Sequence, residues 1–215
     1  MKAILFDLDG TLLDSIPGIL ESFRHVLSTY LPHKAFTRRE LVMVIGEPIE
    51  KQMLDFADGD AGIAAQMVQS YREYNRGLLP SMPLYPGVLG TLSGIRARGQ
   101  KTGLVTSKGR ASAMVSLEGH GLSPLFDLVL TSDDTQLHKP DPEPLLVACQ
   151  RLGIRPADVA YVGDSVHDIR CALAAGCFAV AALWGPFEQE TLSALGPQLM
   201  AEKIDDLLTE PQLLP

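Results

Sequence analysis

A chain of 215 residues, 46% apolar and 20% charged, has material for one substantial core, or for a core with a smaller inserted unit, and falls in the ordinary globular class. Its formal net charge of -8 argues against nucleic acid or an anionic membrane surface as a partner, because both need a basic footprint. No apolar run approaches a membrane span and no basic-then-apolar leader is visible, so a cytoplasmic protein is expected, as a monomer or a homodimer.

The first element is a short apolar strand, Ala3-Ile4-Leu5-Phe6, that runs into Asp7-Leu8-Asp9-Gly10-Thr11. Alternation along an extended chain sends residues i and i+2 to one side, so Asp7 and Asp9 can reach one pocket, and Gly10 permits the sharp exit that follows. Two crowded carboxylates repel, and the repulsion is relieved by a bound cation or by a raised pKa on one member.

Residues 16–80 carry apolar side chains at helical spacing (Ile19, Leu20, Phe23, Val26, Leu27, then Ile63, Met67, Tyr71, Tyr74) and no convincing strand. They read as a helical insertion after the first strand, and Pro80, Pro83, Pro86 and Gly87 punctuate the return. Seven basic residues stand against eight acidic ones there, so most of the negative charge lies outside the insertion. A near-neutral lid over an acidic core and a plain solvated helical surface both account for that balance.

Four further apolar runs, at 102–105, 127–130, 159–162 and 178–182, lie between helical patterns and predict strands. Strands alternating with helices imply a doubly wound parallel sheet of five or more strands, with ligands at its carboxyl edge. The second strand ends in Thr106-Ser107-Lys108-Gly109, where a hydroxyl and backbone N–H groups entering a helix over 110–118 suit an anion. After the third comes His138-Lys139-Pro140-Asp141-Pro142, in which Pro140 biases Lys139 toward an extended backbone and Asp141 with Pro142 resembles a helix start.

The fourth ends in Gly163-Asp164-Ser165-Val166-His167-Asp168. A helix beginning near Ser165 would set Asp164 and Asp168 one turn apart, facing one locus. Hard oxygen donors beside Asp7 suit Mg²⁺, whereas His167 is not expected to ligate it. Cys149, Cys171 and Cys177 form no C-x-x-C pair and read as buried small hydrophobes.

D-L-D-G-T, V-T-S-K, a lysine in K-P-D-P and G-D-S-x-x-D, in that order, resemble the four motifs of the haloacid dehalogenase-like phosphohydrolase superfamily over nearly the whole chain. Gly46-Glu47-Pro48 and Leu183-Trp184-Gly185 look most like its phosphoglycolate phosphatase branch. The resemblance implies a Rossmann-like core over 1–15 and 81–215 with an all-helical type-one cap over 16–80. It further implies a phosphatase acting on a small phosphorylated metabolite. Asp7 would be the nucleophile, Asp9 the general acid and base, and Thr106, Ser107 and Lys139 the phosphoryl-binding groups. Asp7, Asp164 and the Asp9 carbonyl would hold Mg²⁺, with Asp168 behind the metal.

A dehalogenase is disfavoured because that branch resembles D-x-Y-G-T and lacks the second aspartate. A phosphonatase would need a cap lysine where Ile49 stands, with Lys51 nearby. A sugar-phosphate mutase shares all four motifs, and a phospho-receiver signalling domain uses similar groups without a helical insertion.

Overall fold

The computed structural model describes residues 1–215. Its strands are β1 (Ala3–Phe6), β2 (Lys101–Val105), β3 (Leu128–Leu130), β4 (Val159–Gly163), β5 (Phe178–Ala182) and β6 (Leu199–Ala201). All neighbours pair in parallel, in the order β3-β2-β1-β4-β5-β6. That order reverses direction between β1 and β4, where a doubly wound sheet leaves a crevice at the carboxyl ends of its strands. Phe6 lies opposite Leu104 on one side and Val162 on the other, so Asp7, Thr106 and Asp164 emerge together at one edge.

Alternation along β1 feeds two cores. Ala3 and Leu5 join the one closed by α7 (Glu143–Leu152) and α8 (Val166–Ala175). Ile4 and Phe6 join the one closed by α5 (Val88–Ala97) and α6 (Arg110–Gly119). Burial of β1 on both faces is what a continuous apolar run in a parallel sheet encodes.

Between β1 and β2 there is no further strand before α5. The segment folds as α1 (Ile16–Tyr30), α2 (Arg38–Met43), α3 (Ile49–Phe56) and α4 (Ala61–Leu78). The buried stripe of α1 meets α3 and α4 through Phe23, whose ring centroid lies 5.8 Å from Phe56 and 5.4 Å from Tyr71. Asp60 caps α4 by accepting hydrogen bonds from the N–H groups of Gly62 and Ile63, satisfying two of the orphan donors at that terminus.

The two connections between this segment and the sheet run side by side. Asp14 N–H donates to the Pro83 carbonyl at 2.9 Å, and Tyr85 N–H donates to the Leu12 carbonyl at 3.0 Å.

Several boundaries differ from expectation. The helix after Lys139 starts one residue later than Asp141-Pro142 implies: Pro142 is the N-cap, and the Asp141 carboxylate accepts from the Glu143 N–H at 2.9 Å. The Lys139–Pro140 peptide is cis. β6 was not expected; Leu199-Met200-Ala201 has no β-branched residue and gains strand form only by pairing with β5. The three cysteines are buried and free.

Candidate active site

Asp7 extends the β1 ladder, its N–H donating to the Val162 carbonyl at 2.9 Å, and its side chain falls on the Leu5 side of the sheet, where α8 and Tyr161 lie. There it meets Lys139, whose ammonium stands 2.9 Å from Asp7 Oδ1 in an ion-pair contact off the hydrogen-bond axis. The ammonium donates instead to Asp168 Oδ1 at 2.6 Å and to the Tyr161 hydroxyl at 3.0 Å. Tyr161 in turn donates to the Val105 carbonyl at 2.8 Å. Lys139 is 3% exposed and Asp168 fully buried, so the lysine is a fixed charge rather than a mobile surface group.

Ser165 and Asp168 form a capping box at the start of α8: Asp168 Oδ2 accepts from the Ser165 N–H and hydroxyl, and Ser165 Oγ accepts from the Asp168 N–H. Both Asp168 oxygens are thereby committed. Asp164 differs. Its Oδ1 accepts from the Thr11 hydroxyl at 2.5 Å, while Oδ2 is buried with no partner.

Acidic oxygens of Asp7, Asp164 and Asp168 lie within 4.8 Å of one another. Burial pushes the Asp7 carboxyl up to about 7, against the opposing pull of Lys139. Asp164 is driven well above the ordinary carboxylate range by burial, then by the Asp168 and Asp7 charges. Burial would also raise Asp168, but Lys139 and the Ser165 hydrogen bonds outweigh it and hold that carboxyl low.

One ammonium thus faces three buried carboxylates, and an orphaned oxygen on Asp164 points to a missing positive partner. An all-oxygen donor set of this kind fits a hard divalent cation, with Asp7 and Asp164 as the side chains able to hold it.

Two close backbone approaches to Asp164 in this floor were not read from the sequence. Gly10 has φ +85°, and a Cβ there would come within 2.4 Å of Asp164 Oδ2. A Cβ on Gly185 would sit 2.2 Å from Asp164 Cβ, so the backbone after Trp184 backs the carboxylate directly. The Trp184 indole N–H donates to the Thr11 carbonyl at 2.9 Å and ties the same corner together. Gly185→Ala is expected to displace Asp164, cost about 1–3 kcal/mol of stability and weaken the response to divalent metal; thermal melts with and without metal measure both.

Asp9, Thr106 and Ser107 line the cavity above Asp7, together with residues of α1, α3 and α4. Thr106 Oγ1 accepts from the Lys108 N–H at 3.1 Å, which leaves its hydroxyl proton free to donate. The Ser107 hydroxyl is buried and unpaired. Lys108, quoted in the motif but given no role, holds both Asp9 oxygens, at 2.8 and 2.9 Å. His167 faces the helical segment, its Nε2 3.3 Å from the Met43 carbonyl, and burial lowers its imidazole pKa.

Sheet, crevice and buried acidic cluster together make the carboxyl edge of β1, β2 and β4 the candidate active site of this α/β fold. The chain belongs to the haloacid dehalogenase-like hydrolase family, whose profile matches residues 4–182. It is 36% identical over 211 residues to pyrophosphatase PpaX of Bacillus pumilus, covering 97% of this chain and 95% of the relative. Pyrophosphatase PpaX of Bacillus velezensis is 37% identical over 209 residues, with the same coverage of both.

Among solved structures, a predicted phosphoglycolate phosphatase from Haemophilus somnus superposes with a TM-score of 0.85 at 28% identity, covering 97% of each chain. A predicted phosphatase from Clostridium acetobutylicum gives 0.85 at 25% identity, covering 97% of this chain and 96% of that one. The chain is therefore a haloacid dehalogenase-like hydrolase. No helix is long and apolar enough to cross a membrane.

Proposed function

We propose that this hydrolase is a Mg²⁺-dependent phosphatase that cleaves a small phosphorylated metabolite through an aspartyl-phosphate on Asp7. One observation carries the reading: the Asp7 carboxylate stands at the crevice beside Lys139 and the half-partnered Asp164. In this reading residues 16–80 are a cap hinged on the paired connections at Leu12–Asp14 and Pro83–Tyr85.

An oxygen of Asp7 attacks phosphorus, the bond to the leaving oxygen breaks, and Asp9 gives that oxygen its proton. Water then attacks the phosphorus of the aspartyl-phosphate, Asp9 takes a proton from it, and inorganic phosphate leaves with Asp7 restored. Because Lys108 holds both Asp9 oxygens in the present arrangement, that ion pair opens before Asp9 carries a proton.

The Thr106 hydroxyl and the Ser107 N–H donate to phosphoryl oxygens, and Lys139 balances charge on Asp7. Asp7, Asp164 and the Asp9 carbonyl are the groups that would hold Mg²⁺. The ion, when bound, screens the anionic nucleophile from the anionic substrate. Asp168 keeps Lys139 in place. The cap excludes bulk water and contacts the leaving group. The substrate class is phosphoglycolate-like or a related metabolite, pyrophosphate included, in line with the names of the relatives.

Hydrolysis of p-nitrophenyl phosphate is expected to need Mg²⁺, to stop in chelator and to return on adding the metal back. Full activity in chelator, with the protein shown to be metal-free, would remove the mechanism. A panel of phosphorylated metabolites ranked by kcat/KM identifies the substrate.

A further inference from the structure

Behind the turn after β2 lies a second, far smaller cavity of about 10 Å³. It separates Thr106 and Ser107 from the loop between β3 and α7 that carries Lys139. Val105, Leu130 and Pro144 give it an apolar wall, and hydroxyl groups line much of the rest.

Most of those hydroxyls already have partners. Thr106 Oγ1 accepts from the Lys108 N–H, the Thr131 hydroxyl donates to Asp134 Oδ2 at 2.8 Å, and the Ser132 hydroxyl lies 3.4 Å from Asp133 Oδ1. Ser107 Oγ and Thr135 Oγ1 differ: both are shut off from solvent, and neither is bonded to any group of the protein, the other included. Ser107 also lines the large cavity over Asp7, but its hydroxyl oxygen is not exposed there. Leaving a buried hydroxyl unmet costs about 1–3 kcal/mol, and two of them line this one small space. A space of that size has room for a single water molecule, which can donate to one hydroxyl while accepting from the other.

We propose that one ordered water bridges Ser107 Oγ and Thr135 Oγ1, and that through it Thr135 is a positioning residue for the phosphoryl-binding turn. Thr135 is well placed to act as an anchor. On one side of it Asp134 accepts from the Thr131 N–H at 2.8 Å, and on the other Glu143 accepts from the Leu137 N–H at 2.7 Å. The turn and the loop are otherwise tied farther along, where the Ser132 N–H donates to the Lys108 carbonyl at 3.3 Å and Asp133 accepts from the Arg110 N–H at 3.0 Å. A bridge at Ser107 fixes the peptide whose N–H meets the phosphoryl group in the proposed mechanism. That effect on phosphate binding rests on the phosphatase reading, whereas the water site does not.

A crystal structure of the wild-type protein at about 1.5 Å or better is expected to show one density peak about 2.8 Å from both hydroxyl oxygens. Thr135→Val, nearly the same in shape, should lose that peak. With p-nitrophenyl phosphate and Mg²⁺ it should raise KM and the inhibition constant of inorganic phosphate together, by about three- to tenfold, with kcat changed by less than about twofold. Thr135→Ser keeps the oxygen and should restore both constants. Ser107→Ala removes the other end of the bridge and should behave as Thr135→Val does, so the test survives if that variant fails to fold. Ser123→Ala, which deletes a buried unpaired hydroxyl that lines neither cavity, is the control and should change neither constant.

A wild-type crystal in which the two hydroxyls bond each other or other protein groups, with no density between them, would overturn the proposal. So would a Thr135→Ser variant as impaired as Thr135→Val, or a folded Thr135→Val whose two constants are those of the wild type. If the water is present and no phosphate ester is hydrolysed, the bridge stands, and the role given to Thr135 falls with the phosphatase reading.

Discussion

Asp7→Asn should lower kcat for p-nitrophenyl phosphate by about four orders of magnitude or more while the protein stays folded. The amide matches the carboxylate in shape, but it offers no anionic oxygen to phosphorus. Local structure should survive, because Lys139 keeps its hydrogen bonds to Asp168 and Tyr161 and Asp168 keeps its capping box with Ser165.

Asp9→Asn is expected to behave differently. It removes the proton donor and leaves the nucleophile, so an activated ester whose leaving group needs no proton can still phosphorylate Asp7 slowly. Single-turnover quench with mass analysis of the chain should therefore show a phosphorylated species in Asp9→Asn and none in Asp7→Asn. Retention of more than about one per cent of wild-type turnover in Asp7→Asn would mean that another residue attacks phosphorus.

The positions of these groups along the chain were legible because each sits just beyond an apolar strand, and strand ends in a doubly wound sheet converge at one edge. Period-two spacing placed Asp7, and 3.6-residue spacing marked residues 16–80 as helical. What the sequence did not disclose is contact between distant segments. Thr11 and Asp164 are far apart in the chain, and their hydrogen bond exists only because β1 pairs with β4.

The grip of Lys108 on Asp9 depends on how the turn after β2 folds back over β1, which the residues T-S-K-G do not specify. Leu183-Trp184-Gly185 was visible only as a resemblance, whereas the importance of Gly185 comes from the approach of its backbone to Asp164. Ser165-x-x-Asp168 was visible as a pattern. Its double duty, capping α8 while fixing Lys139, appears only when α8 and the loop before α7 are brought together.

The charge imbalance at Asp164 leads to the second large effect. Asp164→Asn should melt at a higher temperature than the wild type in chelator, lose the stabilisation that Mg²⁺ gives the wild type, and lose at least about a hundredfold in turnover. Burial together with the Asp7 and Asp168 charges makes an ionised Asp164 costly in the metal-free fold. Because its folded pKa lies above the unfolded value, the metal-free fold loses stability from this group as pH rises from the ordinary carboxylate range toward neutrality.

Asparagine keeps an oxygen for the Thr11 hydroxyl, needs no counter-charge, and should gain about 1–3 kcal/mol at neutral pH, which is several degrees for a chain of this size. In Mg²⁺ the ranking should invert, since the ion stabilises only the protein that can hold it. Thermal melts of both proteins in chelator and in excess Mg²⁺ form a four-point cycle that separates the two effects. If Asp164→Asn is less stable than the wild type without metal and gains as much from Mg²⁺, the carboxylate is a structural anchor, and the metal is held elsewhere.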